Sequence, residues 1–110
     1  VTGMVTIDLS AVYDRDSFHD LMMASFGFPD FYGRNGNAFI DCLSDIDDPG
    51  TGMCGVSVKR GEVFTVHLQG WRNFAANHNE IATALIEEIG FVNEYLEDQG
   101  AGTKIKVLKE

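Results

Sequence analysis

The sequence predicts an α/β fold: one layer of mostly parallel β-sheet, about three strands plus an extra hairpin strand, packed with three main helices. Three patterns carry that expectation. Apolar residues alternate with polar ones at Val5, Ile7 and Leu9, the period of a half-buried strand. Strand-forming residues crowd VFTVHL, residues 63–68, and KIKVL, residues 104–108. Between these strands the apolar spacing changes to three and four, as helices require. Strands separated by helices are joined by crossovers, which makes neighbouring strands parallel. The 110 residues amount to a single domain, 1–110, with no repeat or low-complexity linker.

After the first strand and a turn, Asp16 or Ser17 is placed to cap a helix whose face carries Phe18, Leu21, Met22 and Phe26. Gly27 ends it and Pro29 blocks its continuation. A loop from Pro29 to Arg34 leads into a second helix, capped by Asn35 and running to about Ser44. DIDDPGTG is a turn cluster. Gly55–Lys59 then alternates weakly, as a strand would, and Arg60-Gly61 closes a hairpin into Val63–Leu68. Trp71–Phe74 forms a short helical turn. The third main helix is marked by Asn77 and Glu80, spaced as in a capping box, and by the stripe Ile81, Leu85, Ile89, Val92 and Leu96. Gly100 and Gly102 end it before the last strand. Met4 is taken as the native start, ahead of which stand Val1–Gly3.

Charge narrows the function. Seventeen acids against 8 bases give a net charge of -9. Such a field repels nucleic acid and anionic membranes and favours cationic partners. Asp41, Asp45, Asp47 and Asp48 fall in a stretch, between Arg34 and Lys59, that contains no Lys or Arg. Cys42 and Cys54 lack the spacing of a disulfide framework or a zinc site and are expected as reduced, buried thiols. With no secretory pattern and no stretch of ~20 apolar residues, the chain is expected in the cytoplasm, without cofactor or metal.

Other motifs fail on chemistry. Gly50, Gly52 and Gly55 spell GxGxxG, but Asp47 and Asp48 precede it and VSV follows, so no strand–turn–helix cradles a pyrophosphate. Asp45, Asp47 and Gly50 match the start of a calcium loop, yet Pro49 and Val56 stand where ligands belong. His19, His67 and His78 share no motif with a nucleophile, so no enzyme is indicated.

One constellation survives. On a helix starting at Asn35, residues Asn37, Asp41 and Asp45 fall four apart on one face, while Phe39 and Leu43 form the apolar face. The loop before it offers Phe31, Tyr32, Gly33 and Arg34, and exposed aromatics beside carboxylates make a binding hot spot.

The stretch PDFYGRNGNAFIDCL, residues 29–43, resembles the barstar family's pattern: proline, acid, two aromatics, glycine, any residue, asparagine, then a helix ending in Asp-Cys-Leu. The order of elements from Val5 to Leu108 is similar too, including Phe18-His19 and Trp71-Arg72. The resemblance implies an intracellular protein inhibitor of a ribonuclease, an immunity protein or antitoxin, and not an enzyme. It implies that Asp41 enters the nuclease's phosphate pocket, that Tyr32, Gly33 and Asn35 shape the loop, and that Phe31 packs on the nuclease. It further implies a contact from an acid on the last helix, for which Glu94 is the candidate.

The family's best-known member has an Asp at the position of Asn37, a tyrosine at Phe31, a tryptophan at Ile40 and an acid at Arg34. Losing one carboxylate and gaining a cation points to a different cognate nuclease, bound by a monomer. Two other readings compete: an acidic module binding a non-nuclease basic partner, and a small hydrolase using His67 with a carboxylate.

Overall fold

The computed structural model describes residues 3–110; Val1 and Thr2, placed above ahead of the native start, lie outside the described residues. The strands are β1 (Met4–Asp8), β2 (Val63–Gln69) and β3 (Lys104–Lys109), in spatial order β1-β2-β3 and parallel throughout. The helices are α1 (Arg15–Phe26), α2 (Gly36–Leu43), α3 (Trp71–Asn77) and α4 (Asn79–Asp98). The α/β class and the three parallel strands agree with the sequence pattern; the helices number four, because the turn expected at Trp71–Phe74 extends into α3.

Parallel pairing sets the layering. Val5 pairs with Val66, which pairs with Val107, and Ile7 pairs with Leu68, so these side chains line one face. Phe64, Val66, Leu68, Ile7 and Ile105 are buried there under the helices, while Thr6, Lys104 and Lys106 alternate onto the open face. The core continues through Phe18, Met22 and Phe26 of α1, Phe39 and Leu43 of α2, and Leu85, Ile89, Val92 and Leu96 of α4. One of the two edge strands, β3, is met from the side: Asn93 of α4 donates through Nδ2 to Ile105 O (2.9 Å) and accepts from Ile105 N–H (2.8 Å).

Three expectations are corrected. The cap of α1 is Asp14, not Asp16 or Ser17; Asp14 accepts from Ser17 N–H at 2.8 Å and Ser17 Oγ accepts from Asp14 N–H at 3.0 Å. That reciprocal pair satisfies two free amides at once, which no single acceptor one turn later achieves. The long helix begins at Asn79 with no side-chain cap, because α3 runs to Asn77 and the chain breaks direction at His78. Finally, Gly55–Lys59 forms no strand and no hairpin. Its amides go elsewhere: Gly55 and Val56 donate to Phe26 O, and Val58 donates to Ile46 O. Asp47 ties the same segment down, accepting from Thr103 Oγ1 at 2.7 Å beside Arg60. Of the glycines in the apparent GxGxxG, Gly55 packs against Gly27, while Gly52 takes left-handed backbone (φ 74°) with open space around it.

The tightest join lies between Gly27, the left-handed end of α1 (φ 67°), and Gly55. A Cβ on Gly27 would lie 2.7 Å from Gly55 Cα, a backbone atom that cannot swing away. Gly27→Ala is therefore expected to cost about 2–3 kcal/mol through strain and left-handed backbone together. Urea unfolding reads it; an unchanged midpoint would show that the two segments do not need this approach.

Candidate partner-binding site

The exposed site is organised by the start of α2. Asn35 has extended backbone and its Oδ1 accepts from Ala38 N–H at 2.9 Å, while its Nδ2 donates to Gly33 O at 3.2 Å. One side chain thus caps the helix and ties the loop to it. The cap fixes rotation: Phe39, Cys42 and Leu43 turn inward, and Asn37 and Asp41, one turn apart, turn to solvent. Asp45 continues the spacing but lies past Leu43, the last helical residue, and is half-buried. The cysteines are both free and buried; Cys54 Sγ lies 3.1 Å from Cys42 O, and burial pushes the Cys54 thiol up to about 12.

The loop separates its two aromatics. Phe31 is 75% exposed, whereas Tyr32 is 5% exposed, so Tyr32 is not the surface aromatic that the sequence suggested. A turn bond from Tyr32 N–H to Pro29 O (2.9 Å) sends the ring inward against Phe28, centroids 4.8 Å apart. Its hydroxyl lies 2.7 Å from His19 Nδ1. Burial, then the nearby Arg34 and Arg15, lowers the His19 pKa from 6.5, and burial raises that of Tyr32. Neutral imidazole fits this site, with the tyrosine O–H donating to Nδ1.

Arg34 is the one non-glycine residue with positive φ (56°) among the described residues. Its Nη1 donates to Asp20 Oδ1 at 2.7 Å and its Nη2 to Asp16 O at 2.9 Å, with the Asp16 carboxylate 3.7 Å away. The charge expected to oppose a cationic partner is answered within the chain. Glu94 is exposed on α4, the helix beside α2. The acid that actually reaches α2 is Glu88: a Cβ on Gly36 would meet its Oε2 at 2.5 Å, and burial raises its pKa. Glu94 lies six residues, ~9 Å, further along α4.

Sequence reasoning missed His19, Glu88, Asp16 and Asp20. Glu88 carries a signal in hindsight, since it borders the apolar stripe between Leu85 and Val92. The others are visible only once the loop folds back on α1. His67 meets Glu110 Oε1 at the open side of the sheet, an ion pair when the imidazole is charged. Among the described residues there is no cluster of three metal-ligating side chains, and no helix is long and apolar enough to cross a membrane.

A family profile described as Barstar (barnase inhibitor) matches residues 2–108. No curated protein matches the chain.

The His19–Tyr32 pair gives stability a pH dependence of definite sign. The folded chain holds His19 below its unfolded pKa of 6.5, so the unfolded state binds the proton more readily. This contribution is complete above that value and is lost as pH falls through the lowered, folded pKa. The capping carboxylates Asp8 and Asp14, lowered from 3.8, act only in more acid solution. Glu88, whose pKa burial raises, acts with the opposite sign as pH falls, so the stability in urea that wild type holds over His19→Gln should shrink between about pH 7.5 and pH 5. Tyr32→Phe should cost about 1–3 kcal/mol by leaving a buried nitrogen unpaired; a neutral result would deny the bond a structural role.

Proposed function

The chain belongs to the barstar family, whose members are non-enzymatic inhibitors of barnase-type ribonucleases, and from that premise we propose that it is the intracellular immunity protein or antitoxin of one such ribonuclease. The exposed face of α2 would occupy the nuclease's active site. A ribonuclease holds a phosphodiester with cationic groups, and a carboxylate on a rigid helix is the simplest substitute for that phosphate. Asp41 takes this role and pairs with the nuclease's basic side chains. Asn37, one turn earlier, offers an amide to the same pocket. Phe31 packs against the nuclease surface, and Gly33 and Asn35 give the loop its shape. Tyr32 supports the loop from below. Asp45 and Glu94 add negative potential at the border, where charge speeds encounter more than it tightens binding.

The observation that carries this reading is the pairing of an exposed Asp41 with a 75% exposed Phe31 on a capped, internally bonded loop and helix. Phe31 and Asp41 are the exposed aromatic and carboxylate of the loop and helix that Asn35 joins. Asn37, Phe31 and Ile40 replace an acid, a tyrosine and a tryptophan of the best-known family member. The cognate nuclease therefore differs where it meets these residues. The net charge of -9 suits a cationic partner and opposes RNA itself.

The test is titration of the chain into a barnase-type ribonuclease, with RNA cleavage as readout. Inhibition should be stoichiometric at one chain per nuclease. Asp41→Ala should raise Kd by about a hundredfold or more, as expected when a partner's buried charge loses its counter-ion. Glu62→Gln, outside the face, should change Kd by less than about threefold. Equal inhibition by Asp41→Ala and wild type would remove Asp41 from the site. Capture of a basic protein with no nuclease activity would favour a general acidic interaction module instead.

A further inference from the structure

We propose that Arg34 is a positioning residue: by gripping Asp20 and the backbone of Asp16 it holds the loop around Phe31 and Gly33 in its binding form before any partner arrives. This deepens the inhibitor reading above and rests on it for the binding consequence, though not for the grip itself.

Four observations lead to it. First, Arg34 occupies left-handed backbone (φ 56°), which side chains other than Asn and Asp rarely adopt without an external hold. Second, such a hold is present and directional. The guanidinium fork gives one N–H to a carboxylate at 2.7 Å and another to a carbonyl at 2.9 Å, both on α1. A flexible point charge would not fix an orientation in this way. Third, Arg34 immediately precedes the cap Asn35, whose two bonds set both Gly33 O and the first turn of α2. Movement at residue 34 therefore moves the loop and the helix start together. Fourth, the loop has a second, buried tie at Tyr32–His19. The two ties bracket Gly33, and they leave Phe31 outside as the projecting group.

The electrostatic consequence is opposite to what the sequence suggests. Asp16 and Asp20 stand one helical turn apart with side chains 88% and 71% exposed. Arg34 sits between them, so a cationic partner meets a locally acidic cluster rather than a bare cation. Holding the loop in advance also removes ordering entropy from the binding step.

The test compares wild type with Arg34→Asn, Asp20→Ala and the double variant. Asparagine tolerates left-handed backbone but cannot reach α1, so it isolates the grip from the backbone conformation. Two readouts are used. Amide hydrogen exchange in the free chain follows Tyr32 and Ala38, whose N–H groups bond Pro29 O and Asn35 Oδ1. Each single variant should accelerate them about three- to tenfold, while the global unfolding midpoint stays within about 2 °C. Affinity for the barnase-type ribonuclease should fall by a similar factor, and the double variant should bind no worse than the weaker single one.

Tighter binding by Arg34→Asn would overturn the proposal, because it would mean the cation repels the partner. Losses that multiply in the double variant would also overturn it, because each residue would then contact the partner independently. If wild type inhibits no such ribonuclease, the inhibitor reading fails while exchange still decides the grip. Accelerated exchange would uphold it, and unchanged exchange would overturn it.

Discussion

Three parallel strands in the order β1-β2-β3 cannot be joined by tight turns. Each link must travel from the end of one strand to the start of the next across a face of the sheet. The apolar rows Val5–Val66–Val107 and Ile7–Leu68 choose which face. The exposed face of α2 follows from that requirement. The first crossover is long and holds α1, the loop, α2 and the irregular segment after it. The second holds α3 and α4. With both crossovers on one face, α2 lies against α4 on one side and meets solvent on the other. The surface is therefore a by-product of covering a sheet, refined by a few polar bonds.

Those bonds act on the loop from several directions. Asn35 ties it forward to α2, Tyr32 ties it down to His19, and Arg34 ties it back to α1. The bonds differ in environment. The Tyr32–His19 bond is buried, where loss of a partner leaves an unpaired atom out of reach of water. The Arg34 bonds are half in water, where each contributes little alone. The loop is thus fastened by one buried bond from below and by solvent-facing bonds at its outer edge.

Most of the fold could be seen in the sequence because its signals are periodic. Alternation at Val5–Leu9 and 63–68 located β1 and β2, and the stripe from Ile81 to Leu96 located α4. Asn35 was identifiable as a cap, so the outward turn of Asn37 and Asp41 followed directly. Periodicity ends where regular backbone ends. Nothing local distinguishes Phe31 from Tyr32, since the direction of each in a loop depends on Phe28 and His19, the latter 13 positions before Tyr32. Gly55–Lys59 imitated a strand by composition, but its backbone found partners at Phe26 and Ile46 rather than in the sheet. Arg34 reads in the sequence as an added cation on the binding loop, and only folding supplies its partners Asp16 and Asp20.

Asn93 has a consequence of a different kind. A sheet edge repeats the same donor–acceptor ladder that built the sheet, so an uncovered edge invites a stranger's backbone to continue it. At Ile105 the amide of Asn93 presents one donor and one acceptor, the pair a neighbouring peptide unit would bring. A side chain thus impersonates a fourth strand near the start of the β3 edge. Exposed Lys104 and Lys106 stand on either side and place like charges wherever a second copy would align in register. Self-templating growth from β3, the route by which small sheets become fibrils, meets both an occupied ladder position and electrostatic repulsion at its first step.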